Sequence, residues 1–497
     1  MTQRQTAFRT YILAALSGAG AAFGQQPYDI PALMVLGMAG AVWLAQHRST
    51  PRQAGLVGWA FGFGYFVHAL QWLVSPFMVD VARHGWMAPF ALVFMSAGLA
   101  LFWGAAFWGA RRLSSGASWV LIPCWAAAEL ARAYVFTGFP WASPAQATVG
   151  VIAGQTLGLI GPHGVNAVMI AVAVMAVSVL APAQSWSWRA LRGAPVLAGL
   201  IAAVVPVMRG EAPLTGQTVR LIQPNAPQKD KWDADKIPVF FQRQLQFTAA
   251  PPESAAPDLV IWSETAIPWS LEYAGSALTE IARAGGKTPV TLGVQRSDGL
   301  RYFNSMITLD QNGAVTQTYD KHHLVPFGEY IPLGDILGEL GWHGLAARQG
   351  YGYSAGRGAQ LLDFGALGRA LPLICYEAVF AHDVNAAPER PDFLVQITND
   401  AWFGRGAGPR QHLAQARMRA AEQGLPLARA ANTGISAMID PYGRIIAALP
   451  LNVAGFVDAP LPAPLNATLY SRTGDLPAVL FVGFALALAF GRRFKRN

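Results

Sequence analysis

The chain has 497 residues, of which 53% are hydrophobic and 13% charged, and it carries a formal net charge of +8 at pH 7. Soluble globular proteins carry about 25% charged residues, so the composition excludes an ordinary soluble protein and indicates a membrane protein. With only 2 cysteines, Cys124 and Cys375, the chain has neither a disulfide framework nor a Cys-x-x-Cys metal motif.

The first part of the chain, residues 1–209, contains seven apolar segments that follow one another closely. A bilayer core about 30 Å thick is spanned by roughly 20 apolar residues in a helix. We therefore predict a membrane domain of about seven transmembrane helices over residues 1–209, then a soluble block over 210–474, and a C-terminal transmembrane helix with a basic tail over 475–497. The seven segments lie at about 10–25, 30–46, 55–75, 87–109, 117–136, 158–181 and 194–208.

Lysine and arginine concentrate in alternate connectors between these segments. Cytoplasmic connectors carry the excess of basic residues, so both termini are predicted to be cytoplasmic and residues 210–474 to lie on the far side of the membrane. Because the net charge is explained by topology, we expect no nucleic-acid partner. The basic connectors hold Arg4, Arg9, Arg48, Arg52, Arg111, Arg112, Arg189 and Arg192, and the tail reads "GRRFKRN".

The first apolar segment has a second interpretation. Arg4 and Arg9 before "YILAALSGAGAAFG" are also typical of a signal peptide. Because the chain is polytopic, we expect this segment to be retained as the first helix. Cleavage would leave the later topology unchanged.

In the block 210–474, short apolar runs alternate with helical patterns, which predicts an α/β layered domain. The strand-like runs are 218–225, 258–264, 289–295, 305–310, 369–375 and 393–400, and the helical patterns are 275–285 and 408–425.

Three polar side chains directly follow strand-like runs, where α/β proteins place functional groups. They are Glu264, which ends the run 258–264, Lys321, at the end of "AVTQTYDK", and Cys375, which ends the run 369–375. A thiol is a weak nucleophile until a carboxylate takes its proton, and an ammonium group stabilises both a thiolate and an oxyanion. The three residues are therefore a coherent set for acyl transfer through a thioester. The spacing leaves open whether they converge, and a free cysteine is also a common packing residue.

Four motifs, in this order, resemble the nitrilase superfamily: "WSETAIPW", "YDKHHLVPFGEYIP", "ICYEAVF" and "TNDAWFG". The resemblance implies an αββα sandwich with a Glu-Lys-Cys triad. Several membrane helices before this domain and one after it resemble the membrane-embedded branch of the superfamily, the apolipoprotein N-acyltransferases. The stretches "TGFPWASPAQ" (137–146) and "QPNAPQKDKWD" (223–233) are similar to that branch as well.

Applied to this sequence, the resemblance implies that Glu264 is the general base and Cys375 the nucleophile. Lys321 would stabilise the tetrahedral intermediate together with the backbone N–H of Tyr376. Glu329 matches a second glutamate beside the triad. The residues implied to support the site or position substrate are Asn304, Tyr376, Glu377 and Trp232.

The implied reaction is a ping-pong transfer in a bacterial inner membrane, with the catalytic domain on the periplasmic side. Cys375 would take the sn-1 acyl chain of a phospholipid, chiefly phosphatidylethanolamine. The acceptor would be the free α-amine of the S-diacylglyceryl-cysteine that begins an apolipoprotein. We expect no cofactor, and we expect a monomer.

Aromatic residues among glycines in probable loops suggest a lid that dips into lipid. They are Trp402, Phe403, Trp342, Tyr351 and Tyr353. Burial, or a place at the membrane interface, is the alternative interpretation of the same residues.

Two further groups of polar residues are interpreted as structural. His322 and His323 invite a metal site, but adjacent residues of a strand face opposite sides and no acidic ligand cluster is evident, so we predict no metal. Glu129 and Arg132 lie three residues apart in the fifth apolar segment and can pair on one helix face. We predict a structural ion pair there.

Two other functions are alternatives to acyl transfer. A membrane-tethered amidase or nitrilase would use the same triad with water as acceptor, but eight spans exceed what an anchor needs. A transporter with an exported binding domain would place polar groups at a midplane site. Only Glu129, Arg132 and His68 are available for that, and the motifs would be left unexplained.

Overall fold

The computed structural model describes residues 3–114, 117–179, 186–206, 210–253, 255–332 and 352–494. Its N-terminal part is helical, and each of the seven predicted apolar segments overlaps a helix. The helices are α1 (Gln3–Ala21), α2 (Pro31–Gln46), α3 (Pro51–Ala69), α4 (Val81–His84), α5 (Ala88–Leu113), α6 (Leu121–Tyr134), α7 (Leu157–Val179) and α8 (Trp186–Ala202).

Among the described residues, three helical stretches are long and apolar enough to cross a membrane by length and composition. They are Val81–Leu113, Ser118–Thr137 and Ile152–Val179, and three shorter apolar helices accompany them at Pro31–Gln46, Gly193–Ala202 and Leu476–Arg492. The chain is thus a membrane protein, as its composition predicts. The count of eight spans stays a prediction.

Glycines let α1 and α3 approach one another closely. A Cβ atom added at Gly18 would lie 1.9 Å from the carbonyl oxygen of Phe61, and one added at Gly64 would lie 2.0 Å from that of Ala15. Helices in membranes associate through such small residues because lipid gives no hydrophobic driving force between them. Substitution of either glycine would therefore force the two helices apart.

The ion pair predicted on α6 is present and buried. Arg132 Nη2 lies 2.7 Å from Glu129 Oε2, and Trp103 donates a hydrogen bond of 2.7 Å to Glu129 Oε1. The second guanidinium nitrogen of Arg132 donates to the carbonyl oxygens of Phe139 (2.6 Å) and Trp141 (2.7 Å). The pair thereby fixes the path of residues 135–141, which leave α6 toward the second domain.

The second domain contains two six-stranded sheets, with strand orders β12-β1-β2-β3-β4-β5 and β11-β10-β9-β8-β7-β6. Strands β1, β2 and β3 are parallel, as are β7, β8 and β9, and the outer strands pair antiparallel. The strands are β1 (Leu214–Gln223), β2 (Leu259–Ile261), β3 (Val290–Asp298), β4 (Arg301–Leu309), β5 (Val315–Asp320), β6 (Leu362–Asp363), β7 (Arg369–Ile374), β8 (Phe393–Thr398), β9 (Leu427–Ala431), β10 (Ala437–Ile439), β11 (Ile445–Ala448) and β12 (Gly455–Pro462).

Apolar side chains divide this domain into four layers. A central core joins the facing sides of the two sheets, for example Val219 and Ile261 against Val395 and Ile397. A second core packs α9 (Ile237–Ala249) and α10 (Gly275–Gly285) on the outer face of the first sheet. A third packs α12 (Ala407–Gln423) on the outer face of the second sheet; the short α11 (Ala381–Asn385) precedes it in the chain. The predicted αββα sandwich is confirmed.

The chain ends with two helices, α13 (Leu469–Thr473) and α14 (Leu476–Phe494). Helix α14 returns to the membrane domain and packs against α6 and α7. The segment predicted at 475–490 is therefore a helix of the same bundle.

Candidate active site

The triad predicted from the sequence lies at the carboxyl ends of strands in both sheets. Glu264 follows β2, Lys321 follows β5 directly, and Cys375 follows β7 directly. All three side chains are buried. Glu264 and Lys321 are close enough to Cys375 to shift the pKa of its thiol, so the fold brings the three groups together.

The ammonium group of Lys321 sits between two carboxylates. Its Nζ lies 2.8 Å from Glu329 Oε2 and 3.9 Å from Glu264 Oε1. The amide of Asn304 joins the two, because Nδ2 donates to Glu264 Oε1 at 2.7 Å and to Glu329 Oε1 at 3.1 Å. Both carboxylates are thus fixed, and Asn304 and Glu329 lie where the resemblance implies supporting residues.

Main-chain donors hold the other oxygens of these carboxylates. The N–H of Asn399, which follows β8, donates to Glu264 Oε2 at 2.8 Å. The N–H of Val325 donates to Glu329 Oε2 at 2.8 Å. Donors of this kind restrict the carboxylates to one orientation, which a general base needs in order to face the thiol.

Burial and neighbouring charges together shift the pKa values of the Cys375 thiol and the Lys321 ammonium. Burial raises the pKa of the Cys375 thiol, the carboxylate of Glu264 raises it further, and Lys321 opposes both. Burial by itself lowers the pKa of Lys321, but Glu329, Cys375 and Glu264 together raise it above its ordinary value. These shifts favour a neutral thiol and a charged lysine, so Cys375 would need a base in order to act as a nucleophile.

Cys375 begins a tight turn that presents its side chain. It has φ 52°, a conformation that residues other than glycine rarely adopt. Its carbonyl oxygen accepts a hydrogen bond of 3.1 Å from Gln396 Nε2 and lies 3.0 Å from His412 Nε2. These contacts hold the turn in a strained shape that persists only because its surroundings fix it.

A fully buried hydrogen-bond network holds Gln396 and His412 in place. His412 Nδ1 lies 2.8 Å from Asp400 Oδ1, and Arg429 Nη2 donates to Asp400 Oδ2 at 2.6 Å. Arg429 also donates to the side-chain oxygen of Gln396. Although burial acts to raise it, the pKa of Asp400 is lowered to about 2 by Arg429 and His412, so the carboxylate stays charged.

Glu377 connects the turn at Cys375 to the segment that carries Lys321. Its Oε2 accepts from the N–H of Ile374 at 2.6 Å, and its Oε1 accepts from the N–H of His322 and from Tyr319 Oη, both at 2.8 Å. The side chain is fully buried. It therefore sets the distance between the nucleophile and the ammonium group.

Glu377→Gln is expected to lower thermal stability and to slow alkylation of Cys375 by iodoacetamide by about tenfold. The amide would turn an N–H toward one of the donors that the carboxylate now accepts, and an unpaired buried group costs about 1–3 kcal/mol. Thermal unfolding and the rate of adduct formation on Cys375 measure the two effects. Glu389→Gln is the control, because Glu389 is exposed and pairs with Arg369, which is also exposed. Equal stability and rate in Glu377→Gln and wild type would contradict this role.

The membrane domain touches the nucleophile turn directly. Tyr376 Oη donates to the carbonyl oxygen of Gly138 at 3.4 Å, and His323 Nε2 lies 3.1 Å from the carbonyl oxygen of Thr137. The ring of His323 stacks on Phe380 with centroids 3.7 Å apart. The path of residues 135–141 thus bears on the residues that flank Cys375.

The aromatic residues predicted to form a lid occupy different surroundings. Phe403 packs against Trp72 and Trp141, with ring centroids 4.9 and 5.4 Å away. Trp402 beside it is half-buried, and Tyr353 is half-buried with a main-chain hydrogen bond to Glu329. Trp342 and Tyr351 lie outside the described residues. The lid role stays a prediction, and Phe403 contributes to the junction of the two domains.

Trp232 is half-buried and lines a cavity together with Lys231, Ser263 and Thr265. Its role in positioning substrate stays a prediction.

The histidines beside Lys321 take part in a cluster of acidic and imidazole groups. Asp383 Oδ2 lies 2.7 Å from His323 Nδ1, and Asp383 Oδ1 lies 3.5 Å from His382 Nε2. The ligand atoms of these three residues are all within 4.8 Å of one another, a spacing that would suit a metal ion. His322 is held by Glu377 at 2.8 Å. The expectation that catalysis needs no metal stays a prediction.

Several residues around the triad were not singled out from the sequence. Gln396, Arg429 and His412 lack a motif of their own, although Asn399 and Asp400 lie within the quoted "TNDAWFG". Lys231, adjacent to Trp232, donates from Nζ to the carbonyl oxygen of Glu264 at 3.1 Å. Lys231 is a charged residue within the quoted stretch "QPNAPQKDKWD", and that was the sequence signal that could have identified it.

Comparison with known proteins agrees with both domains. A family model described as "Apolipoprotein N-acyltransferase N-terminal domain" matches residues 17–175, and one described as "Carbon-nitrogen hydrolase" matches residues 218–465. A solved amidase from Nesterenkonia sp. is 18% identical, with coverage of 55% of this chain and 98% of that chain; its TM-score of 0.38 is too low to bear on the assignment.

Relatives match across nearly the whole chain. The apolipoprotein N-acyltransferase of Rhodopseudomonas palustris is 35% identical over 511 residues, which cover 97% of this chain and 95% of that protein. The apolipoprotein N-acyltransferase of Sinorhizobium fredii is 38% identical over 480 residues, with coverage of 90% and 89%. Because identity of this degree extends over both domains, the chain belongs to the apolipoprotein N-acyltransferase family.

Proposed function

We propose that this protein transfers an acyl chain from a membrane phospholipid to the N-terminal α-amine of a diacylglyceryl-modified apolipoprotein. The donor we propose is the sn-1 chain of phosphatidylethanolamine. The observation that carries the proposal is a buried Glu-Lys-Cys site whose nucleophile turn rests on the membrane domain, at Gly138 and Thr137. Membership of the family, whose relatives are named for this acylation, supports it.

In the first half-reaction, Glu264 takes the proton of the Cys375 thiol as Sγ attacks the ester carbonyl of the phospholipid. The oxygen of the tetrahedral intermediate faces the ammonium of Lys321 and the backbone N–H of Tyr376. When the intermediate collapses, the carbon–oxygen bond to glycerol breaks. Glu264 returns the proton to that oxygen, lysophospholipid leaves, and the acyl chain remains on Cys375 as a thioester.

In the second half-reaction, the free α-amine of the apolipoprotein attacks the thioester carbonyl. Glu264 accepts a proton from the attacking amine, and the same two donors face the second oxyanion. Collapse breaks the carbon–sulfur bond and forms the amide, and the proton passes to the thiolate. The enzyme returns to its starting state without a cofactor.

The proposal includes an arrangement in a bacterial inner membrane. Residues 1–209 form the membrane domain, 210–474 the periplasmic catalytic domain, and 475–497 the C-terminal helix with its basic tail, with both termini in the cytoplasm. Support comes from the alternation of basic connectors and from the return of α14 to the bundle. Both substrates are lipid-anchored, so a catalyst that faces the bilayer surface gains by proximity.

Intact-protein mass spectrometry after incubation with phosphatidylethanolamine tests the proposal. We expect a mass gain of one acyl chain on wild type, removal of the adduct by neutral hydroxylamine, and no adduct on Cys375→Ala. Addition of a diacylglyceryl-cysteine peptide is expected to discharge the adduct onto the peptide amine. No adduct on wild type that still hydrolyses a small amide would overturn acyl transfer in favour of a membrane-tethered carbon-nitrogen hydrolase.

A further inference from the structure

Lys231 is a buried lysine outside the triad that contacts the general base. Its side chain is 7% exposed, and Nζ donates to the carbonyl oxygen of Glu264 at 3.1 Å and to Thr265 Oγ1 at 3.0 Å. The segment that carries it joins β1 to α9. A lysine is almost never this deeply buried unless its ammonium group is paired, so the contact needs an explanation beyond packing.

The backbone of β3 also packs against the main chain at Glu264. Thr265 has φ 44°, in the left-handed region that β-branched residues avoid. Gly293 of β3 lies against this turn, and a Cβ atom there would come within 2.5 Å of the Thr265 nitrogen and 2.6 Å of the Glu264 Cα. The strained turn is therefore held between the backbone of β3 and the ammonium of Lys231.

Lys231 also adds charge close to the base. The charged or titratable groups that face Glu264 from the packed elements are Lys321, Glu329, Tyr353, Cys375 and Lys231. Only two of these are cations. Burial lowers the pKa of Lys231 to about 8, against the opposing effect of Glu264, so the side chain carries its charge at neutral pH and below.

We propose that Lys231 is a positioning residue for the acyl transfer, because its ammonium group fixes the main chain at Glu264 and places a positive charge beside that base. The inference rests on the function proposed above. It extends that function by giving the base a second cationic neighbour, supplied by a segment before α9. One side chain thus supplies both the hydrogen bond to the main-chain oxygen of Glu264 and the positive charge beside that residue.

The test uses the full-length protein and the rate of Cys375 alkylation by iodoacetamide as a function of pH, with Cys375→Ala to subtract labelling at Cys124. We expect Lys231→Met to alkylate at least about tenfold more slowly at its plateau, since a misplaced base is costly. We also expect the acidic limb of its rate profile to move to higher pH. Lys231→Arg, which keeps the charge, is expected to bring the limb back toward the wild-type position.

Two matched variants separate the contributions. Lys236→Met removes an exposed lysine that pairs with Asp230, and is expected to leave rate and profile unchanged. Thr265→Val removes the hydroxyl contact but keeps the charge of Lys231, and is expected to slow alkylation without moving the acidic limb. It also keeps the test decisive if Lys231→Met does not fold.

The proposal would be overturned if Lys231→Met folds and has the alkylation rate and the acidic limb of wild type. An unchanged alkylation rate in Thr265→Val would overturn it as well. Reduced stability of Lys231→Met with an unmoved limb would reduce Lys231 to a structural residue and overturn it too. Failure of the proposed function is read separately. Absence of an acyl adduct on wild type with phospholipid refutes acyl transfer, while the alkylation profiles still report on Lys231.

Discussion

Lys321→Met is expected to lower the rate of acyl-enzyme formation by roughly a thousandfold. The variant removes the ammonium that lies 2.8 Å from Glu329 and 3.9 Å from Glu264. The developing oxyanion then loses its cationic partner. The thiolate loses the group that opposes the effects of burial and Glu264 on the pKa of Cys375.

The same variant is expected to be less stable, because breaking a buried ion pair costs about 3–5 kcal/mol. Lys321→Met with Glu329→Gln removes both charges of the pair and is expected to recover much of the stability but none of the activity. Thermal unfolding and adduct formation by mass spectrometry measure the two separately. Lys287→Met, at an exposed position, is the control. Acylation by Lys321→Met within tenfold of wild type would contradict a role for this lysine in the transition state.

Glu264→Gln is expected to slow acylation by about 10²–10⁴ at neutral pH while the fold is retained. Glutamine keeps the shape of the side chain and can still accept from Asn304 or from the N–H of Asn399. It cannot take the proton of the thiol, and burial holds the pKa of that thiol above its ordinary value.

The residual activity of Glu264→Gln is expected to depend on pH in a specific way. Without a base, acylation needs the spontaneously formed thiolate, whose fraction rises tenfold per pH unit below the thiol pKa. The rate should therefore climb steadily with pH where wild type has reached its plateau. Acylation rates between about pH 6 and 10 measure this, with Glu280→Gln, an exposed glutamate, as control. A flat profile parallel to wild type would show that another group serves as base.

The α/β character of the second domain and the positions of three polar side chains after strands could be predicted because each depends on local sequence, whereas the αββα sandwich was implied by the resemblance. Glu264, Lys321 and Cys375 each follow a run that forms a strand, but these strands belong to two different sheets, so the packing that brings the three groups together could not be predicted from spacing. Contacts across the fold could not be predicted in this way. The N–H that orients Glu264 comes from Asn399, 135 residues along the chain, and no local pattern encodes that pairing.

Phe403 shows what tertiary context adds to a local prediction. Its neighbouring glycine predicts a lid, which stays a prediction, and no local pattern indicates that its ring contacts Trp72 and Trp141 in the membrane domain. The apolar segments were similarly located in the sequence, while helix lengths were not. Within the described part of the chain, three helical stretches meet the length and hydropathy of a span, and three further apolar helices are shorter.

The buried Glu129–Arg132 pair changes how sequence variants in the membrane domain should be interpreted. Arg132 fixes the carbonyls of Phe139 and Trp141, and the same stretch of chain supports Tyr376 next to the nucleophile. A natural substitution at Arg132 would ordinarily be judged by its cost of insertion into lipid. We expect such a substitution also to disturb the turn at Cys375, although α6 itself contributes none of the Glu-Lys-Cys side chains.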